Sequence, residues 1–181
     1  MVEGIKKEVG LPEGVTAVFH NQELIIKGPQ GESKKEMKYN KLSIKIENNK
    51  IILESDNSTK KSKKMIGTFV AHAKNMVRGS KENHNYTLKV CSGHFPMNVS
   101  VSGSKLIVKN FLGEKVPRVL KLMEGATIKV DGSIIHITSP SKEIAGQVSA
   151  DIEQLTRRPG FDTRVFQDGI YIINKDGKEL K

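Results

Sequence analysis

The sequence predicts an α+β fold built twice: two tandem copies of a unit made of small antiparallel or mixed β-sheets packed with one α-helix. The first observation behind this is a repeat. Leu24-Ile-Ile-Lys-Gly-Pro-Gln-Gly-Glu32 returns 82 residues later as Leu106-Ile-Val-Lys-Asn-Phe-Leu-Gly-Glu114, with five of nine positions identical. Ser43-Ile-Lys-Ile-Glu-Asn-Asn-Lys-Ile-Ile-Leu53 is answered by Thr127-Ile-Lys-Val-Asp-Gly-Ser-Ile-Ile-His136, and Lys63-Lys-Met-Ile-Gly67 by Lys142-Glu-Ile-Ala-Gly146. The second observation is the order of patterns within each copy, short alternating runs followed by one stretch at helical spacing. Two copies make a pair of domains rather than a solenoid. In a chain of 181 residues they divide as 1–80 and 81–181, the second ending in a basic tail.

Taken in order, residues 15–19 and 23–27 alternate apolar and polar across His20-Asn-Gln22, as residues 97–101 and 105–109 do across Ser102-Gly-Ser104; both read as hairpins. Two further short strands follow in each copy, near residues 42–46 and 50–54, then 126–130 and 134–138. Their connections, Asn48-Asn49 and Asp131-Gly132, tolerate positive φ. In the first helix Ile66, Val70, Ala73 and Val77 share a face, and Gly79 supplies a stop. In the second, Ile144, Val148, Ile152 and Leu155 share a face, with Ser139 as N-cap and Pro140 at the first helical position. Gly67 and Gly146 occupy equivalent interior positions, which predicts close helix-to-sheet approach at both. A strand over residues 85–90 ends the first copy. Strands over 163–167 and 170–173, joined at Asp168-Gly169, end the second. The segment Lys27-Gly-Pro-Gln-Gly31 reads as a hairpin end, not a phosphate cradle.

Thirty Lys and Arg against 20 Asp and Glu give a net charge of +10, the footprint of a phosphate-rich partner. Residues 1–90 hold 17 basic and 10 acidic side chains, and residues 91–181 hold 13 and 10. No apolar run approaches the roughly 20 residues of a membrane-spanning helix, and no signal peptide opens the chain. The single cysteine, Cys91, excludes an internal disulfide and fits a reducing cytoplasm. With nine aromatic residues and no Trp, base stacking is not expected to be the main mode of a nucleic-acid contact.

Two basic clusters are candidates for phosphate. Lys60, Lys61, Lys63 and Lys64 sit at the start of the first helix, where positive charge opposes the helix dipole. The run reads equally as a solvated face or as a site whose anion offsets that penalty. Thr156-Arg-Arg-Pro-Gly160, with Arg164 close behind, is the second. Arg157 and Arg158 there either complement the C-terminal dipole of a helix that Pro159 ends or present forks that bind phosphate bidentately. Lys175, Lys178 and Lys181 lie in a tail that either reaches over a nucleic-acid surface or frays.

Other chemistry is not expected. Cys91-Ser-Gly-His94 is one close Cys/His pair, and a structural zinc site needs a second. His20, His72, His84 and His136 are scattered. No nucleophile elbow, P-loop or Gly-x-Gly-x-x-Gly occurs, and Cys91 has no evident activating partner. The expectation is no enzyme, no cofactor, no metal and no small-molecule substrate.

The chain resembles the large-subunit ribosomal protein of the L-six family in its archaeal and eukaryotic form. The resemblance covers nearly the whole length. It rests on Leu24–Glu32 as quoted, Phe69-Val-Ala-His-Ala-Lys-Asn-Met-Val-Arg-Gly79, His94-Phe-Pro-Met-Asn98, Asn110-Phe-Leu-Gly-Glu-Lys115 and Arg164-Val-Phe-Gln-Asp-Gly-Ile-Tyr-Ile172. After Gly79 the relatives usually run through a Gly-aromatic pair, and this chain has Ser80-Lys-Glu-Asn-His-Asn-Tyr86 instead. The resemblance implies two similar α+β domains. It also implies binding to large-subunit rRNA beside the sarcin–ricin loop, near the stalk base with its ribosomal-protein neighbours. The second domain provides much of that family's RNA contact, which favours Arg157, Arg158, Arg164 and the tail lysines over the Lys60–Lys64 run.

The expected function is therefore that of a structural, cytoplasmic component of the ribosome that neutralises phosphates and recognises RNA shape. A non-ribosomal RNA chaperone or a protein–protein scaffold is the alternative.

Overall fold

The computed structural model describes residues 4–55, 59–162 and 164–180. The chain divides into two compact units, Met1–Asn83 and His84–Lys181. All strand pairings among the described residues are antiparallel.

The first unit contains β1 (Ile5–Gly10), β2 (Thr16–His20), β3 (Glu23–Gly28), β4 (Gly31–Glu36), β5 (Ser43–Glu47), β6 (Lys50–Ser55) and α1 (Lys60–Lys81). They form two three-stranded sheets, β2-β3-β4 and β1-β6-β5. Two tight turns set the registers. Asn21 and Gln22 have φ of 50° and 65°, and Asn48 and Asn49 have 48° and 61°. Paired left-handed residues match the twist of the flanking strands. Alternation then sends Leu24 and Ile26 of β3 and Ile51 and Leu53 of β6 inward, each fully buried. Phe69, Ala73, Met76 and Val77 of α1 pack against them.

The second unit contains β7 (His84–Cys91), β8 (Asn98–Ser102), β9 (Lys105–Lys109), a 3₁₀ turn (Phe111–Gly113), β10 (Arg118–Lys121), β11 (Thr127–Asp131), β12 (Ile134–Ser139), α2 (Lys142–Leu155), β13 (Gly169–Lys175) and β14 (Lys178–Glu179). One sheet has the order β10-β9-β8, the other β11-β12-β7-β13-β14. Its core joins Leu88, Leu106, Val108, Ile135, Ile137, Ala145, Val148, Ile152 and Ile170. Leu106 and Val108 are as deeply buried as their first-copy counterparts Leu24 and Ile26.

Several elements differ from the sequence expectation. The strand expected to end the first copy is β7, which pairs with β12 and β13 and so opens the second unit. It is the counterpart of β1, since β1 pairs with β6 as β7 pairs with β12. The hairpin end read at residues 27–31 is the turn from β3 into β4, Gly-Glu-Ser-Lys-Lys-Glu, a strand with no apolar residue to announce it, held by its ladder to β3 and a Lys27–Glu32 ion pair at 3.1 Å. Helix α1 runs through Gly79 to Lys81 and is capped by Glu82 in extended conformation, its N–H reaching Arg78 O at 2.7 Å. Ser141, not Ser139, caps α2 by accepting the Ile144 N–H; Ser139 is the buried last residue of β12 and its hydroxyl donates to Gly125 O. Arg164–Gln167 form turns and coil rather than a strand, and Thr163 lies outside the described residues. At Gly67 a Cβ would meet open space, and at Gly146 only ordinary contact with Tyr86. The close approach falls instead at Gly28.

Candidate nucleic-acid interface

The C-terminal end of α2 is fastened to β13 from both sides. The Thr156 hydroxyl donates to Glu153 O at 3.2 Å and accepts the Ile170 N–H at 2.9 Å, while the Ile172 N–H donates to Glu153 Oε1 at 3.2 Å. Thr156 is buried, and its side chain holds the fold. Pro159 cannot continue a helix, and Gly160 adopts φ +85°, so the chain turns outward through an exposed loop.

The three arginines of this loop differ in availability. The Arg157 guanidinium is exposed and pairs with no acid among the described residues. Arg158 lies with its guanidinium carbon 4.4 Å from the Phe161 ring centroid and Nη1 3.7 Å from Glu114 Oε1. Arg164 is already paired. Its Nη2 and Nε lie 2.8 and 3.1 Å from the two oxygens of Asp162, and its main-chain N–H also reaches that carboxylate. These hydrogen bonds hold Asp162 below the usual carboxylate range and raise Arg164 further.

Glu114 and Arg118 support the same turn. Arg118 holds Glu114 bidentately at 2.8 and 2.7 Å, donates to Leu155 O at 2.6 Å and lies 4.3 Å over the Phe111 ring. The arginine hydrogen bond lowers the Glu114 pKa. A cation on the final carbonyls of α2 also complements the helix dipole.

Behind the loop, Asp168 is buried. Its Oδ1 accepts the Gly93 and His94 N–H groups at 2.7 and 3.0 Å, and its Oδ2 meets His94 Nδ1 at 2.6 Å. Burial pushes this carboxyl up, but the hydrogen bonds from His94 and Gly93 together outweigh it and the net shift is downward. His94 in turn stacks on Phe166 at 5.1 Å, and Phe166 meets Phe161 edge-on at 5.0 Å. Two segments about 70 residues apart are thereby locked into one aromatic and cationic surface, flanking a cleft of about 440 Å³ lined by residues including Arg157, Arg158, Phe161 and Tyr171.

Sequence reasoning missed His94, Phe161, Phe166 and the Glu114–Arg118 pair. Three of the family-like strings hold His94, Glu114 and Phe166, while Phe161 and Arg118 lie outside them. Nothing in these strings says that His94 faces Asp168. Cys91 and His94 do not meet as ligands, and no group of three or more His, Cys, Asp or Glu suited to a metal occurs among the described residues.

The other candidates lie elsewhere. Lys175 and Lys178 face each other across the Asp176-Gly177 turn of the β13–β14 hairpin. This part of the tail is ordered, because Asp176 Oδ2 meets buried His84 Nδ1 at 3.0 Å and its N–H donates to Asn85 O. Lys181 lies outside the described residues. Lys60, Lys61, Lys63 and Lys64 belong to the first unit, on the exposed first turns of α1 behind N-cap Thr59, with no acid in the first turn. They are not brought together with the arginines in one unit.

The chain is thus a duplicated α+β protein whose second unit carries an exposed loop with Arg157, Arg158 and Arg164. Comparison with known sequences makes this specific. The family "Ribosomal protein L6" matches the chain twice, over residues 11–83 and 95–169. The chain is 42% identical over 176 residues to "Large ribosomal subunit protein uL6" of Methanococcus vannielii, covering 97% of each sequence. It is 41% identical over 172 residues to the protein of the same name from Methanobrevibacter smithii, covering 95% of this chain and 97% of that one. The chain belongs to the ribosomal protein L6 family.

Proposed function

We propose that this protein is a structural component of the large ribosomal subunit, binding large-subunit rRNA near the sarcin–ricin loop and stalk base beside other ribosomal proteins. The observation that carries this is the match along nearly the full length to relatives named as large-subunit proteins. The exposed loop of the second unit supports it physically. Arg157 and Arg158 supply forks for phosphate, and Asp168, Thr156 and Arg118 hold the loop in shape before RNA arrives. Lys175 and Lys178 add charge on the hairpin, and the α1 lysines a more diffuse attraction. The role is structural rather than catalytic, and the place is the cytoplasmic ribosome.

The test is sedimentation of the tagged full chain in cell extract with and without nuclease. Co-migration with the large subunit that is lost on rRNA digestion is expected. Association that survives digestion identifies a protein scaffold, and migration with mixed free RNAs a chaperone.

A further inference from the structure

The chain has nine aromatic residues, and the fold distributes them unevenly. In the first unit Phe19, Tyr39 and Phe69 are buried or half-buried; the exposed ones, Phe95, Phe161 and Tyr171, all belong to the second unit. Phe161 and Tyr171 both line the cleft beside Arg157 and Arg158. Neither ring is loose. Phe161 carries the Arg158 guanidinium over its ring and meets Phe166 at a near-perpendicular 82°. The Tyr171 ring lies across Gly169, with ring atoms 3.3 Å from where a Cβ would stand. Exposed rings beside an open cleft that Arg157 and Arg158 also line are what an unstacked base needs: a flat apolar face, and charge for the phosphates on either side. A double-stranded backbone has no use for such a hollow.

We propose that this cleft receives a single unpaired nucleobase of the bound RNA, its face against Phe161 or Tyr171 and its flanking phosphate on Arg157. This deepens, and rests on, the reading of the second unit as RNA-binding. The cleft volume of about 440 Å³ is in the range that encloses small organic ligands and leaves room for a base with its ribose. The scarcity of aromatics does not count against one stacked base, because composition limits the number of such contacts and not their place.

The test is binding of the full chain to the large-subunit rRNA fragment containing the sarcin–ricin loop, over a salt series. Phe161→Leu keeps apolar bulk and removes the π-face; Tyr171→Leu does the same at the other ring. The variant that removes the ring carrying the base is expected to weaken binding by roughly 5- to 100-fold at every salt concentration with an unchanged salt slope. Arg157→Ala is expected to reduce the slope by about one. Ultraviolet cross-linking of the unaltered protein guards against a folding artefact, and a base attached to Phe161, Phe166 or Tyr171 is expected. Wild-type-like binding by both leucine variants, or cross-links confined to other segments, overturns the proposal while leaving RNA binding intact. Absence of preference for the fragment in the unaltered protein removes the underlying reading as well.

Discussion

A Cβ placed on Gly28 would stand 2.5 Å from the main-chain oxygen of Ser80, and that same oxygen accepts the Gln30 N–H at 3.1 Å. The β3–β4 turn is therefore pressed directly onto the last turn of α1, with no side chain between. Asn83 Nδ2 adds a hydrogen bond to Gln30 Oε1 at 3.0 Å. Main-chain atoms cannot rotate out of the way as a side chain tip can, so the contact has little tolerance. Gly28→Ala is expected to destabilise the first unit by about 1–3 kcal/mol. Gly67→Ala, inside α1 and facing open space, is expected to stabilise by about 0.5–1 kcal/mol. Urea unfolding followed by circular dichroism measures both, and equal effects at the two glycines would contradict this packing.

Asp168→Asn should lower stability at neutral pH by about 1–3 kcal/mol, since a charged acceptor serving three donors becomes a neutral amide. The folded carboxyl titrates below its ordinary value of 3.8, so its contribution is fully present above that pH and is lost as pH falls through the lower folded value. The difference between the two proteins should accordingly shrink in acid. A constant difference from neutrality down to pH 2, measured by thermal unfolding, would count against the carboxylate's role.

Arg118→Lys keeps the charge but loses the planar fork that spans Glu114 and Leu155 O. About 1–2 kcal/mol of destabilisation is expected, with faster amide hydrogen exchange at the end of α2 and in the turn after it. Unaltered exchange there would mean that the turn is held without Arg118.

The arginines of the loop should not behave alike. Arg157→Ala with Arg158→Ala is expected to weaken RNA binding and lower the salt slope by roughly one to two units. Arg164→Ala should change the slope much less, because Asp162 already balances that guanidinium. Equal slope losses for Arg157 and Arg164 would show that the Asp162 pair opens on binding.

Which features could be read from the chain follows a physical line. Hairpins with Asn-rich turns and alternating Ile and Leu announce themselves locally, and so do the apolar faces of both helices. The arginine loop was also visible, as a basic cluster ended by Pro159. Strand β4 was hidden because it has no apolar alternation to announce it. The strand over residues 85–90 was legible, but not its place in the second unit, because its partners β12 and β13 lie 43 or more residues downstream. Arg164 looked like the equal of Arg157, since a sequence shows charge but not the geometry that pairs it with Asp162. The His94–Asp168 lock spans 74 residues and has no local signature.

The most direct measurement of the central claim is equilibrium binding to the large-subunit rRNA fragment containing the sarcin–ricin loop, over a salt series, with a scrambled RNA of equal length as competitor. Tight, salt-sensitive binding that the scrambled RNA displaces poorly is predicted. Equal displacement by the two RNAs would contradict the account, leaving a basic protein that binds RNA without that address.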